Sequence, residues 1–225
     1  WDPMIPSMTN SDRTEIYKNK NKTLAKLHSV DYKKSGLEDY GKPGNYVARQ
    51  VSRWSKQYRA SETDNIEAMN NLIEWLPKNI PDDDETTIVH GDYRLDNMIL
   101  RNNEVIGILD WELSTLGHPI ADFSYHCLSW RTQEAFWDEA KLKELGIPSE
   151  KEYMEMYCKY SGKDLSKNWE FYMAFNMFKI AGILQGILGR VRDGTAASKH
   201  AEERGNMVFP LSEAAWSTIE ENFLK

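Results

Sequence analysis

From Asn10 and Ser11 onward, Ile16, Leu24, Ala25, Leu27 and His28 recur at roughly helical spacing. Polar cap candidates precede them and the turn-like Ser29-Val30-Asp31 follows, so the first element is a helix ending near His28. The stretch 32–45 is polar and holds Gly36, Gly41, Pro43 and Gly44, a loop by its turn chemistry. Tyr46, Val47, Val51, Trp54 and Tyr58 mark a second helix. A third runs from Asp64 through Ile66, Met69, Leu72, Ile73 and Trp75 until Pro77 and Pro81 stop it, and the acidic run 82–85 reads as a solvated turn. The texture changes at Thr86. Thr86–Val89, Met98–Leu100 and Val105–Leu109 are short, β-branched or aliphatic runs, with Asn102-Asn103 set for a hairpin. Beyond Pro119 the helical period returns over Ile120–Leu128, Gln133–Leu145, Lys151–Tyr160, Lys167–Arg192 and Leu211–Leu224. No internal repeat or linker interrupts this order, so the pattern predicts one mainly helical α+β domain, 1–225, around a small β insert.

Composition narrows the function classes. A chain of 225 residues buries a core without disulfides or structural metals. With 28 basic against 35 acidic residues the net charge is -7, which argues against general attraction to nucleic acid or anionic membranes. Cys127 and Cys158 are the only cysteines, so the expected setting is reducing: intracellular, and cytoplasmic in the simplest case. The most apolar stretch, Met173 to Leu188, is broken by Asn176, Lys179 and Gln185 and reads as a buried helix, not a membrane span. Trp1-Asp2-Pro3 looks like mid-chain text, and the expectation is a piece of a longer protein.

The densest chemistry lies in the β insert, at Val89-His90-Gly91-Asp92-Tyr93-Arg94-Leu95-Asp96-Asn97 and then Ile108-Leu109-Asp110-Trp111-Glu112. A carboxylate on a loop, an amide five residues later and a second carboxylate eighteen residues after the first converge when a hairpin joins them. Such a trio positions a hydroxyl and holds Mg2+, which prefers a few hard oxygens plus substrate phosphates. Singly, Asp92 and Asp96 read as turn caps, Asn97 as a strand opening and Asp110 as a strand end. Their joint spacing is what argues for chemistry.

His90, Gly91, Asp92 and Asn97, followed by Ile108, Asp110, Trp111 and Glu112, resemble the H-G-D-x-x-x-x-N and I-x-D-W/F-E motifs of the aminoglycoside phosphotransferase and choline kinase superfamily. That superfamily shares the protein-kinase fold. The wider wording Leu109 to Gly117, with Pro119, Ala121 and Asp122, is similar to the phosphotransferase-like domains associated with acyl-CoA dehydrogenases, as is the Trp1-Asp2-Pro3-x-x-Pro6 opening. The resemblance implies that Asp92 takes or orients the proton of an acceptor hydroxyl during attack on the γ-phosphate of ATP. It implies that Asn97 and Asp110 hold Mg2+ and the nucleotide, that Arg94 stabilises charge on the transferred group, and that His90 and Asp122 brace the loop from behind. A small-molecule hydroxyl is the implied acceptor, a hydroxyacyl-CoA in the subgroup, with an acyl-CoA dehydrogenase domain as associated partner. The phosphate-covering loop and strand lysine of the superfamily's amino-terminal lobe are not found upstream of Thr86, so the chain resembles the carboxy-terminal lobe with its helical subdomain. His118 stands where the subgroup commonly has Asp.

Weaker signals lie further along. Gly182, Gly186 and Gly189 suit close helix packing better than a phosphate loop. Lys179, Arg190, Arg192, Lys199 and Arg204 form a loose basic series, a solvated face or, at Arg190 and Arg192, a contact for an anionic substrate such as a CoA ester. Two other functions compete with the leading one. An aminoglycoside- or choline-type kinase would need acidic groups around a cationic acceptor. A non-catalytic, pseudokinase-like binding module would have no use for an intact Asp92, Asn97 and Asp110.

Overall fold

A computed structural model of the protein describes residues 5, 7–132 and 139–225. Ten helices and four strands are found among them: α1 Asn10–His28, α2 Tyr46–Ser61, α3 Glu67–Trp75, β1 Thr87–Val89, β2 Met98–Arg101, β3 Glu104–Ile108, β4 Thr115–Gly117, α4 Pro119–Cys127, α5 Ser129–Thr132, α6 Glu139–Leu145, α7 Glu150–Ser161, α8 Trp169–Arg192, α9 Ala201–Asn206 and α10 Val208–Phe223. The protein is mainly helical with two small sheets, an α+β arrangement. It divides into two compact units, Trp1–Gly44 with Glu85–Lys167 and Asn45–Asp84 with Asn168–Lys225.

The first unit is built on α1, which packs against α7, β1 and β3. Its entry is fixed by a capping box in which the Thr9 hydroxyl accepts from the Asp12 N–H while the Asp12 carboxylate accepts from the Thr9 N–H. The buried stripe of α1 runs Arg13, Ile16, Tyr17, Lys20, Asn21, Leu24, Ala25 and His28, so half of its core face is polar. Some of these polar groups are paired, as where Asn21 Nδ2 donates to the Tyr153 carbonyl at 2.8 Å, whereas the Lys20 amine lies over the Tyr17 ring. Aromatic rings fill the rest: Phe123 stacks on Tyr157 with centroids 3.9 Å apart and on Tyr153 at 5.7 Å.

The strands form two antiparallel pairs. β2 and β3 make the expected hairpin, with Met98 opposite Ile108 at its open end and Asn102 and Asn103, both at positive φ, in its turn. β1 pairs with β4, Thr87 opposite Gly117, a partner the hydrophobic pattern does not predict because three residues are too few to show alternation. The predicted helix Gln133–Leu145 is seen from Glu139, its first six residues lying outside the described residues, as does most of the Trp1–Pro6 opening.

In the second unit α8 is central and packs against α2, α9 and α10, while α3 lies on α10. Small residues permit this. A Cβ at Gly182 would sit 3.6 Å from the Trp54 ring and one at Gly189 3.3 Å from the Ser61 carbonyl, so α2 and α8 approach backbone to backbone. Among the described residues α8 alone is long and apolar enough to cross a membrane, but 67% of its most apolar window is buried inside the protein, as expected for a core helix.

Candidate active site

The loop after β1 is held in place by its own backbone. Gly91 has φ +84, and a Cβ there would fall 2.7 Å from the Leu113 carbonyl oxygen, so the turn admits glycine only. That turn points two successive N–H groups the same way: His90 donates to Asp122 Oδ2 and Gly91 to Asp122 Oδ1, each at 2.8 Å. Asp122, on α4, is 4% exposed. Burial pushes its carboxyl up, but the His28 ring and the two backbone donors outweigh that and hold it below the usual carboxylate range. His28 Nε2 lies 3.1 Å from Asp122 Oδ2, and its Nδ1 is 2.6 Å from the Tyr157 hydroxyl. A chain of buried polar groups thus runs from α7 through α1 to the loop.

His90 is spent on the backbone at both ring nitrogens. Nε2 lies 2.9 Å from the Leu109 carbonyl, which only accepts, so Nε2 carries the proton, and Nδ1 accepts from the Asp92 N–H at 3.3 Å. The ring therefore ties the loop to the segment leading into Asp110, with no nitrogen left to act as a base.

Two hydrogen-bond donors and a guanidinium converge on the Asp92 carboxylate. Oδ2 accepts from Asn97 Nδ2 at 3.0 Å and faces Arg94 Nε at 3.3 Å, and Oδ1 accepts from the Tyr125 hydroxyl at 3.0 Å. Asn97 Nδ2 also donates to the Asp92 carbonyl at 2.9 Å, which commits the amide nitrogen inward and leaves the Oδ1 side for another partner. Arg94 is half exposed, with its second nitrogen 3.7 Å from Asp96 Oδ2, so it is drawn to two carboxylates by weakly worthwhile surface pairing.

Asp110 follows directly on Leu109, whose N–H donates to the Asn97 carbonyl at 2.8 Å and whose carbonyl is the one His90 grips. Asn97 and Asp110 therefore flank the open end of the β2–β3 hairpin. Asp110 adopts the left-handed conformation, φ 62 and ψ 61, which costs a side-chain-bearing residue about 1 kcal/mol and marks a place where direction outweighs backbone comfort. Among the described residues no three His, Cys, Asp or Glu side chains stand together as a metal cage. An amide oxygen and one carboxylate instead suit Mg2+, which keeps waters and arrives on phosphates.

The structure thus brings Asp92, Arg94, Asn97, Asp110, His90 and Asp122 into one cluster in the first unit. Arg190 and Arg192 belong to the second unit. Arg192 donates to the Thr63 carbonyl at 2.6 Å and pairs with Asp64 at 2.5 Å, and both arginines are exposed and border an open cleft of about 590 Å³ with Gln57, Ser61, Gly186 and Gly189. Sequence reasoning passed over Tyr125, His28 and Tyr157. Tyr125 alone left a trace, since it follows Asp122 by three residues on one helix and must share its face.

Known proteins resemble this chain over most of its length. The sequence profile of the Phosphotransferase enzyme family matches residues 1–157. A crystal structure from Ralstonia eutropha JMP134, described provisionally as an aminoglycoside phosphotransferase, is 48% identical with a TM-score of 0.93 and covers 98% of this chain and 69% of its own. Acyl-CoA dehydrogenase family member 10 of Mus musculus is 45% identical over 222 residues, 96% of this chain and 21% of the relative. Family member 11 of Homo sapiens is 40% identical over 229 residues, 99% of this chain and 29% of the relative. The chain spans under a third of the length of these two relatives. The loop aspartate, its asparagine and the hairpin-end aspartate lie within residues 1–157, which that profile matches, over half of the chain, and the chain accordingly belongs to the Phosphotransferase enzyme family.

Proposed function

We propose that the protein transfers the γ-phosphoryl group of ATP to the hydroxyl of a small molecule, and that the acceptor is a hydroxyacyl-CoA. The observation that carries the reading is the Asp92 carboxylate, held by Asn97 and Tyr125, with Asn97 joined through the Leu109 backbone to the segment that bears Asp110. An acceptor hydroxyl hydrogen-bonded to Asp92 becomes a better nucleophile as its proton leaves. Its oxygen bonds the γ-phosphorus while the bond to the β-phosphate oxygen breaks, the proton passes to Asp92 and ADP departs. Mg2+ bound by Asp110 and the Asn97 amide oxygen would neutralise charge on the phosphates. Arg94, half exposed and paired with Asp92 and Asp96, would stabilise charge on the transferred group.

The acyl-CoA part rests on the relatives named as acyl-CoA dehydrogenase family members, which also support an associated dehydrogenase domain and one phosphotransferase-like domain across both units here. Since ATP is the donor, the reading places the protein inside the cell. A cationic acceptor is the competing reading, favoured by the description of the Ralstonia structure. The test offers radiolabelled ATP and hydroxyacyl-CoA, choline or kanamycin to the full-length protein. Label should pass to hydroxyacyl-CoA and to neither cation, and Asp92→Asn should slow transfer ~10²-fold or more while ATP binding survives. Robust transfer to kanamycin or choline removes the acceptor assignment; near-normal transfer by Asp92→Asn removes the base.

A further inference from the structure

The two oxygens of Asp92 are held differently. Asn97 Nδ2 and Arg94 Nε both bear on Oδ2, at 3.0 and 3.3 Å, and both belong to the same loop as Asp92. Held through Oδ2 alone, a carboxylate still swings its other oxygen about the Cβ–Cγ bond, because that torsion is broad. The Tyr125 hydroxyl, 3.0 Å from Oδ1, comes from a different element and closes that freedom. Tyr125 lies on α4 one turn beyond Asp122, so a single helix face fixes the backbone of the loop through Asp122 and its reacting carboxylate through Tyr125.

We propose that Tyr125 is a positioning residue that locks the plane of the Asp92 carboxylate and reserves the remaining lone pair of Oδ1 for the acceptor proton. Oδ2 accepts from the Asn97 amide and is crowded by the Arg94 guanidinium, both from its own loop, whereas Oδ1 accepts from the Tyr125 hydroxyl and has a lone pair to spare. The phenol serves as a steady donor because burial, and then the charge of Asp92, push its ionisation well above the ordinary tyrosine range. For its catalytic consequence the proposal rests on the phosphotransferase reading above; the contact itself does not.

Two measurements on the full-length protein test the proposal and separate it from that reading. The first needs no substrate. A fluorinated, more acidic tyrosine is placed at position 125, and its 19F signal is titrated with Asp92 intact and with Asp92→Asn. The phenol should ionise at lower pH in Asp92→Asn, since the charge opposing it is gone, and an unmoved midpoint overturns the contact. The second compares steady-state transfer from ATP to hydroxyacyl-CoA in the natural protein and in Tyr125→Phe. Loss of a hydrogen bond to a charged group lowers kcat by about 10-fold or more, and the KM for ATP should not change. An unchanged kcat, or an ATP KM rising in step with the loss, overturns the positioning role, because a merely structural tyrosine would disturb both. Should Asp92→Asn retain full activity, the phosphotransferase mechanism falls and the role of Tyr125 in it falls too, while the fluorine titration still reports whether the contact exists.

Discussion

Gly91 shows how much of the site depends on one missing side chain. Its φ of +84 and its approach to the Leu113 carbonyl let two adjacent N–H groups meet one carboxylate. In Gly91→Ala a Cβ would both strain the backbone and crowd that carbonyl, so the loop must shift and Asp122 loses donors that hold its charge in a buried place. We expect destabilisation of about 2 kcal/mol or more in urea melts and at least ~10-fold lower transfer. A variant as stable and active as the natural protein would show that the turn relaxes without consequence. The residues legible in the sequence here were those bound to a local pattern: Asp92, Asn97 and Asp110 stand at fixed spacings. His28 was not legible as a site residue, since its bond to Asp122 spans 94 positions and nothing in the text of α1 sets it apart from a helix-end histidine.

Elements divide the same way. α7 begins with a capping box, Ser149 donating its N–H to Glu152 at 2.8 Å while its hydroxyl accepts from the Glu152 N–H at 3.3 Å, and α7 carries Tyr153 and Tyr157 into the aromatic core. Ser149→Ala should therefore cost about 1 kcal/mol in denaturant melts without touching the turnover number, because no atom of the Asp92 cluster is involved. A loss beyond about 3 kcal/mol, or none, would mean that the helix start is set by something else. The hydrophobic spacing places this helix at Lys151–Tyr160 without using Ser149-x-x-Glu152, while the strands of the hairpin and the long apolar α8 were readable. Two kinds of element were not. β4 has three residues and a partner thirty positions away at Thr87, so no local alternation announces it. α9 is six residues with Gly205 within it, and a Cβ there would meet Leu188 at 3.0 Å, so tertiary packing and not helix propensity makes it. In α1 the amphipathic signal was blurred for the opposite reason: His28 fell within the helical spacing, but Arg13, Lys20 and Asn21, polar by type, were not part of it and are buried.

At the scale of the molecule, that polar stripe makes stability depend on pH through Lys20. Its side chain is 3% exposed, with the amine 4.1 Å from the Tyr17 ring centroid and 5.9 Å from that of Tyr153. Burial lowers its pKa to about 7, against the slight opposing influence of Cys127. Four other titratable groups around it stay neutral across the window that matters. His126 from α4 is held well below its ordinary value by burial and by Lys20, while burial pushes Cys127, also from α4, Tyr153 from α7 and Tyr93 from the loop after β1 upward. The folded amine thus releases its proton near pH 7 and the unfolded one near 10.5. Between those values the unfolded chain binds more protons, so stability rises with pH; below about 7 both states are charged and the full desolvation penalty stands. Lys20→Met keeps the shape of the chain and removes the titration. Urea melts should find this variant more stable than the natural protein at pH 7 by a few kcal/mol, the gap closing by about 1.4 kcal/mol for each pH unit up to pH 9.5. Parallel pH curves for the two proteins would show that Lys20 keeps its proton in the folded state, held by the faces of Tyr17 and Tyr153.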